Sequence, residues 1–203
     1  MNDKERMFAG KIYSPFKVES QWKEIHAAIK KFNESNFWED STALNELKEL
    51  FLSTGEGFVL TPPFYCDHGN KIRFGNHFYA NTDLTILDEN YVTFGDNVYL
   101  APHVSIYTAG HPIDARVRNT DLEYAKPVTV GNDVWIGGNV VINPGVTIGN
   151  NVVIGSGSVV TKDIPAGVIA AGNPCRVIRE ITEADRENWE VQYRDYLADE
   201  DCN

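Results

Sequence analysis

From Ile72 the chain can be written in sixes: IRFGNH, FYANTD, LTILDE and, after Asn90 and Tyr91, VTFGDN, VYLAPH, VSIYTA. An irregular stretch, 110–127, interrupts the frame, which returns as VTVGND, VWIGGN, VVINPG, VTIGNN, VVIGSG, SVVTKD, IPAGVI, AAGNPC. The third place is aliphatic or aromatic in nearly every block: Phe74, Ile86, Phe94, Leu100, Ile106, Val130, Ile136, Ile142, Ile148, Ile154, Val160. Glycine fills the fourth place at Gly75, Gly95, Gly131, Gly137, Gly149 and Gly155. Apolar residues two apart share one side of a strand. A sandwich would space its strands roughly 8–12 residues apart, not six. Each block therefore reads as a very short strand ending in a corner, with glycines and Asn-Asp, Asn-Asn or Pro-Gly pairs supplying the corner conformations. Three sides close a triangular coil, and coils stacked at about 4.8 Å pair their backbones. The blocks predict roughly five coils of a parallel β-helix.

Composition narrows the function. The 203 residues carry 18 Lys and Arg against 29 Asp and Glu, a net charge of −11. That balance argues against a generally basic nucleic-acid binder. An apolar content of 42% argues against disorder. No run of about 18 apolar residues suggests a membrane span, and Met1–Arg6 leads into no apolar signal region. Cys66, Cys175 and Cys202 have no metal or redox spacing and read as reduced thiols of a cytoplasmic protein.

The flanks read as helical. Residues 21–32 place Trp22, Ile25, Ile29 and Phe32 at helical spacing. Residues 41–52 do the same with Leu44, Leu47 and Phe51, and Ser41 is the expected N-cap. Thr182-Glu183-Ala184-Asp185 resembles a capping box and opens a third helix with Trp189 and Tyr193 on one side. These helices are expected to cover the open ends of the prism.

The five histidines, His26, His68, His77, His103 and His111, show no paired metal-ligand spacing, so no metal is expected in the chemistry. His77 and His103 sit at the sixth place and read as exposed corners. His111 differs because it begins the only long interruption of the repeat, and long loops in compact domains are usually functional.

The order of motifs resembles the maltose/galactoside O-acetyltransferase branch of the hexapeptide-repeat acyltransferases. Its carriers are Tyr65-Cys66-Asp67-His68-Gly69, Phe78-Tyr79-Ala80-Asn81, Gly110-His111-Pro112 and Val134-Trp135-Ile136-Gly137-Gly138. They continue through Ile142–Gly149, Val159–Pro165 and Gly172–Arg179. The resemblance implies a mainly β chain folded as a left-handed parallel β-helix with N-terminal helices, an extruded loop and a C-terminal helix. The corresponding parts are 1–60, 61–180 with the loop at 110–127, and 181–203, in one integrated domain. It also implies an acetyl-CoA-dependent acyltransferase, with a sugar or related hydroxyl as acceptor and His111 as general base. Asn81 would assist catalysis and hold the acceptor with Asp67, Glu89, Glu123 and Trp135. The CoA path would be Trp135, Gly138, Ser156, Thr161, Lys162, Arg176 and Arg179. The family assembles as homotrimers with sites between neighbours. An antibiotic or amino-sugar acceptor, and a scaffold without activity, remain as alternatives. The N-terminal run Ser14–Ser20, with Lys23 or Glu24 where relatives carry Arg, departs from the family's acceptor motif.

Overall fold

A computed structural model describes residues 1–200; Cys202 lies outside the described residues. Short parallel strands form the three sides of a solenoid. The first side carries Val59–Leu60, Tyr79–Ala80, Val98–Leu100, Val134–Ile136, Val152–Ile154 and Val168–Ala171, followed by antiparallel Arg176–Glu180. The second carries Ile72–Arg73, Val92–Phe94, Val128–Val130 and Thr147–Ile148. The third carries Phe64–Cys66, Leu84–Leu87, Ser105–Tyr107, Val141–Ile142 and Val159–Val160.

Six parallel strands on the first side make about six turns, one more than the repeat frame suggests. The additional turn precedes Ile72. Its blocks put Gly55, Thr61 and Asp67 in the fourth place, and the eight-residue step from Cys66 to Phe74 breaks the frame before Ile72.

The third-place side chains, together with Leu60, Cys66, Ala80, Ile164 and Ala170, point inward and are buried. Their spacing locates every irregularity of the solenoid. From the second side to the first and from the first to the third, each step is six residues, as in Phe74 to Ala80 and Ala80 to Ile86. From the third side to the second the step varies. It is eight from Cys66 to Phe74 and from Ile86 to Phe94, 24 from Ile106 to Val130, six from Ile142 to Ile148, and four from Val160 to Ile164. All insertions therefore leave the coil at one edge.

The corner chemistry differs from the expectation for glycine. Left-handed backbone falls mainly at the sixth place, where His77, Asp83, Asn97, His103, Asp133, Asn139 and Asn151 have φ between 52° and 62°. Asn and Asp tolerate that region through local side-chain hydrogen bonds. The fourth-place glycines are demanded by space instead. A Cβ on Gly75 would lie 2.3 Å from the Gly95 carbonyl oxygen of the next coil. His77 and His103 are exposed corner residues, as expected.

Outward side chains distinguish the sides. The second side shows Arg73, Thr93, Thr129 and Thr147 in register. The first shows Val59, Tyr79, Tyr99, Trp135, Val153 and Ile169, an apolar ladder.

The N-terminal helices close the first coil. Helix Trp22–Asn33 buries Ile25, Ile29 and Phe32, while Trp22 faces outward beside His26 instead of joining the core. Helix Thr42–Lys48 is shorter than expected, and Ser41 makes no side-chain cap; the Asp40 carboxylate accepts the Thr42 N–H instead. Phe51 lies beyond this helix and packs edge-on against Phe64 and Phe74. An unexpected helix, Asp3–Phe8, begins with a complete capping box between Asn2 and Glu5.

The C-terminal helix, Glu183–Glu200, does not cover the opposite end. Trp189 and Tyr193 are 66% and 62% exposed, because apolar residues are spread around the helix rather than gathered on one face. The last coil is closed by the turn into Arg176–Glu180, with Cys175 buried beneath it.

Candidate active site

The variable edge gathers the titratable residues. The first widened corner presents Asp67, His68 and Lys71; the coil above presents Asp88, Glu89 and Asn90; the third coil extrudes the loop. The loop is more ordered than its sequence suggests. Its root is a two-stranded antiparallel ladder of Ala109–Gly110 and Tyr124–Ala125, and its tip carries a short helix, Ala115–Arg118. A Cβ on Gly110 would meet the Tyr124 hydroxyl at 2.6 Å, so a larger residue there would push the Tyr124 ring aside.

His111 stands exposed at the start of this loop. Its Nδ1 lies 3.2 Å from the Leu122 carbonyl oxygen. A carbonyl only accepts, so Nδ1 carries the hydrogen and Nε2 of the neutral ring keeps its lone pair free.

Beside it lies a chain of buried and half-buried polar groups that ends at the exposed Ser20. The Tyr13 hydroxyl donates to Glu123 and sits 3.4 Å from Glu89. His68 Nε2 is 3.0 Å from the other Glu89 oxygen, and its Nδ1 is 3.2 Å from the Ser20 hydroxyl. Asp88 accepts the N–H groups of Asp67 and His68 through one oxygen; its other oxygen is buried without a partner. Burial lifts the Asp67 carboxyl to about 6, with help from the Glu89 and Asp88 charges. Burial also raises Glu123 against the opposing Tyr13 hydrogen bond. For Glu89 burial pushes upward too, but the His68 hydrogen bond and nearby positive charge win and hold it low. Burial lowers Lys71, whose ammonium donates to the Asp88 carbonyl at 3.0 Å.

The other expected site residues occupy different places. Asn81, Gly138 and Ser156 share the edge between the first and third sides. The Asn81 amide nitrogen is 3.2 Å from the Tyr79 hydroxyl, and its oxygen accepts the Thr82 N–H. One chain therefore does not bring Asn81 to His111: a whole side separates their edges. Thr161 and Lys162 stand on the His111 edge, in the last coil. Trp135 and Arg179 line a groove of about 740 Å³ on the first side, walled by Trp189. The Arg179 guanidinium is already taken by both oxygens of Asp185, at 2.6 and 2.7 Å, so it reads better as a clamp on the C-terminal helix than as a free phosphate ligand. Arg176 is exposed and donates to the Cys175 carbonyl. Cys66 and Cys175 are free thiols raised by burial, which suits packing rather than nucleophilic attack.

Tyr13, His68 and Ser20 were not singled out by sequence. Tyr13 meets Glu123 across 110 positions, a separation that no local pattern reveals.

Among the described residues, no group of three His, Cys, Asp or Glu side chains is arranged to hold a metal, and no helix is long and apolar enough to cross a membrane.

A solenoid of hexapeptide coils with one extruded histidine loop defines the transferase class to which the family comparison points. Residues 127–162 match the bacterial transferase hexapeptide family (six repeats). The galactoside O-acetyltransferase of Escherichia coli K12 is 45% identical over 94% of this chain and 95% of its own. A crystal structure of a maltose O-acetyltransferase from Clostridium difficile 630 superposes with a TM-score of 0.85 at 46% identity, covering 90% of this chain and 99% of that one. A galactoside acetyltransferase solved in complex with coenzyme A superposes with a TM-score of 0.87 at 46% identity, covering 92% and 94%. The chain belongs to the hexapeptide-repeat acetyltransferases of the galactoside/maltose O-acetyltransferase type, and it is an acetyl-CoA-dependent acetyltransferase.

Proposed function

We propose that this enzyme acetylates a hydroxyl of a sugar or related small molecule, with His111 as general base. The observation that carries this reading is the Leu122 carbonyl on Nδ1, which leaves Nε2 as the proton acceptor. Nε2 takes the hydroxyl proton as the acceptor oxygen attacks the thioester carbonyl. The C–S bond then breaks, the imidazolium returns the proton to the thiolate, and an acetyl ester and free CoA thiol result. The Asn81 amide and a backbone N–H near Gly138 are the donors for the developing oxyanion. Asp67, Glu89, Glu123 and Trp135 are the acceptor contacts, the carboxylates because they accept from hydroxyls. Gly138, Ser156, Thr161, Lys162 and Arg176 are the CoA contacts; Lys162 and Arg176, which form no ion pair among the described residues, are the ones free to meet phosphate, whereas Arg179 is held by Asp185.

Because Asn81 and His111 occupy different edges, a complete site needs two chains. The reading is therefore a homotrimer in which the loop edge of one chain meets the Asn81 edge of its neighbour. The apolar ladder of the first side gives such an assembly something to bury. The free buried thiols suit a cytoplasmic location. The single core joining the N-terminal helices to the solenoid suits one integrated domain. Four carboxylates beside the loop also suit an acceptor bearing an ammonium group, so amino-sugars belong in the substrate panel.

The test is CoA-thiol release from acetyl-CoA with a panel of sugars, for the parent and His111→Ala. A loss of about 10²–10⁴-fold is expected. Equal thiol release by both would overturn the assignment.

A further inference from the structure

We propose that Tyr13 is a positioning residue for His111: the N-terminal segment latches the returning strand of the loop and thereby sets the place and tautomer of the imidazole. The proposal rests on the reading of His111 as the base. His111 is exposed and is anchored through the Leu122 carbonyl, so its place depends on what holds Leu122. The adjacent residue, Glu123, is held three ways by one side chain and its backbone. The Tyr13 N–H donates to the Glu123 carbonyl at 2.9 Å, the Glu123 N–H donates back at 3.1 Å, and the Tyr13 hydroxyl donates to the Glu123 carboxylate.

Tyr13 is itself rigidly placed. It is buried with Met7 and Ala125 in a small core of its own, apart from the main one. Phenylalanine would fill the same volume, so the hydroxyl is there for its hydrogen bonds. Through Glu89 and His68 the same hydroxyl connects to Ser20, so the latch runs along the N-terminal segment from 13 to 20. The groups facing Glu123 are Tyr13, Glu89, His68 and His111. Burial works to neutralise Glu123, while the Tyr13 hydrogen bond favours its charged form, so the hydroxyl bears on the charge of Glu123 as well as on its place.

Tyr13→Phe and Glu123→Gln separate the latch from the charge. The readouts are kcat, KM for acetyl-CoA, and the ¹⁵N–¹H NMR signals of the imidazole, assigned by their loss in His111→Ala. In Tyr13→Phe, kcat is expected to fall about tenfold to a hundredfold, with KM for acetyl-CoA within about twofold and the Nδ1–H tautomer giving way to a mixture. Glu123→Gln keeps an oxygen for the Tyr13 hydroxyl and should keep the tautomer. Its kcat should fall less than that of Tyr13→Phe, because the ring keeps its place. A parental tautomer in Tyr13→Phe would overturn the proposal whatever the rate. If instead His111→Ala turns over like the parent, the base assignment falls, and the tautomer signal still decides whether Tyr13 sets the ring.

Discussion

Asp67 is held where its charge is costly. Burial pushes the folded carboxyl up to about 6, whereas an unfolded aspartate titrates at about 3.9. Between those values the folded state holds the extra proton, so stability contributed by this group is lost as pH rises from about 4 to 6. Asp67→Asn is expected to raise the melting temperature by about 2–4 °C at pH 8, on the order of 1 kcal/mol after allowing for partial exposure. At pH 4 it should change little. Calorimetry at both pH values checks this, and an equal shift at both would contradict it. The glycines offer a second test at the same scale. Gly75→Ala pushes a methyl into the next coil's backbone, an overpacking cost of about 1–3 kcal/mol. Gly157 has φ +73° and open space around it, so Gly157→Ala should cost about 1–2 kcal/mol through conformation alone. Urea unfolding should rank Gly75→Ala as the more damaging. Residue identity at these corners was legible from the period, but its reason was not. Sequence shows that glycine recurs; only the structure shows that space demands it at Gly75 and backbone sign at Gly157.

At the scale of elements, strands were more legible than helices because two-residue alternation survives in blocks as short as VTI and VVI. The loop was legible as an interruption, and its histidine with it. Its hairpin root was not, since a ladder two residues long leaves no pattern. Helix Asp3–Phe8 had a signal in Asn2 and Glu5, three residues apart, but its six residues fall below the length at which periodicity speaks. The C-terminal helix was read correctly as a helix and wrongly as a lid, because Trp189 and Tyr193 on one side suggested a buried face that the structure does not have. A chain ending after Arg186 keeps the Arg179–Asp185 clamp, and the side chains of 187–199 that it loses are exposed. Its melting temperature is expected to stay within about 2 °C of the parent, less than 1 kcal/mol for a chain of this size. A larger fall, followed by scanning calorimetry, would mean that the helix is packed in the assembled enzyme.

For the whole molecule the decisive test is complementation. His111→Ala and Asn81→Ala chains should each be inactive. Unfolded and refolded together at equal amounts, they should recover up to about a quarter of parental activity, because a closed ring pairs the loop of one chain with the Asn81 edge of the next. Light scattering on the parent should give about three times the chain mass. No recovery from the mixture would place both residues in one chain's site. The prism was legible from the period alone; that Asn81 and His111 fall on different edges was not, because two edges of one solenoid look alike in sequence until the coil is closed. The variable edge has one more consequence. Steps of eight, 24, six and four residues all return the chain to the same wall, so the core does not register how much chain departs between Ile106 and Val130. Coil height and loop length are decoupled. Segments from relatives with other acceptors could be transplanted at this edge without redesigning the stack, which makes it the natural place to rewrite what the enzyme accepts.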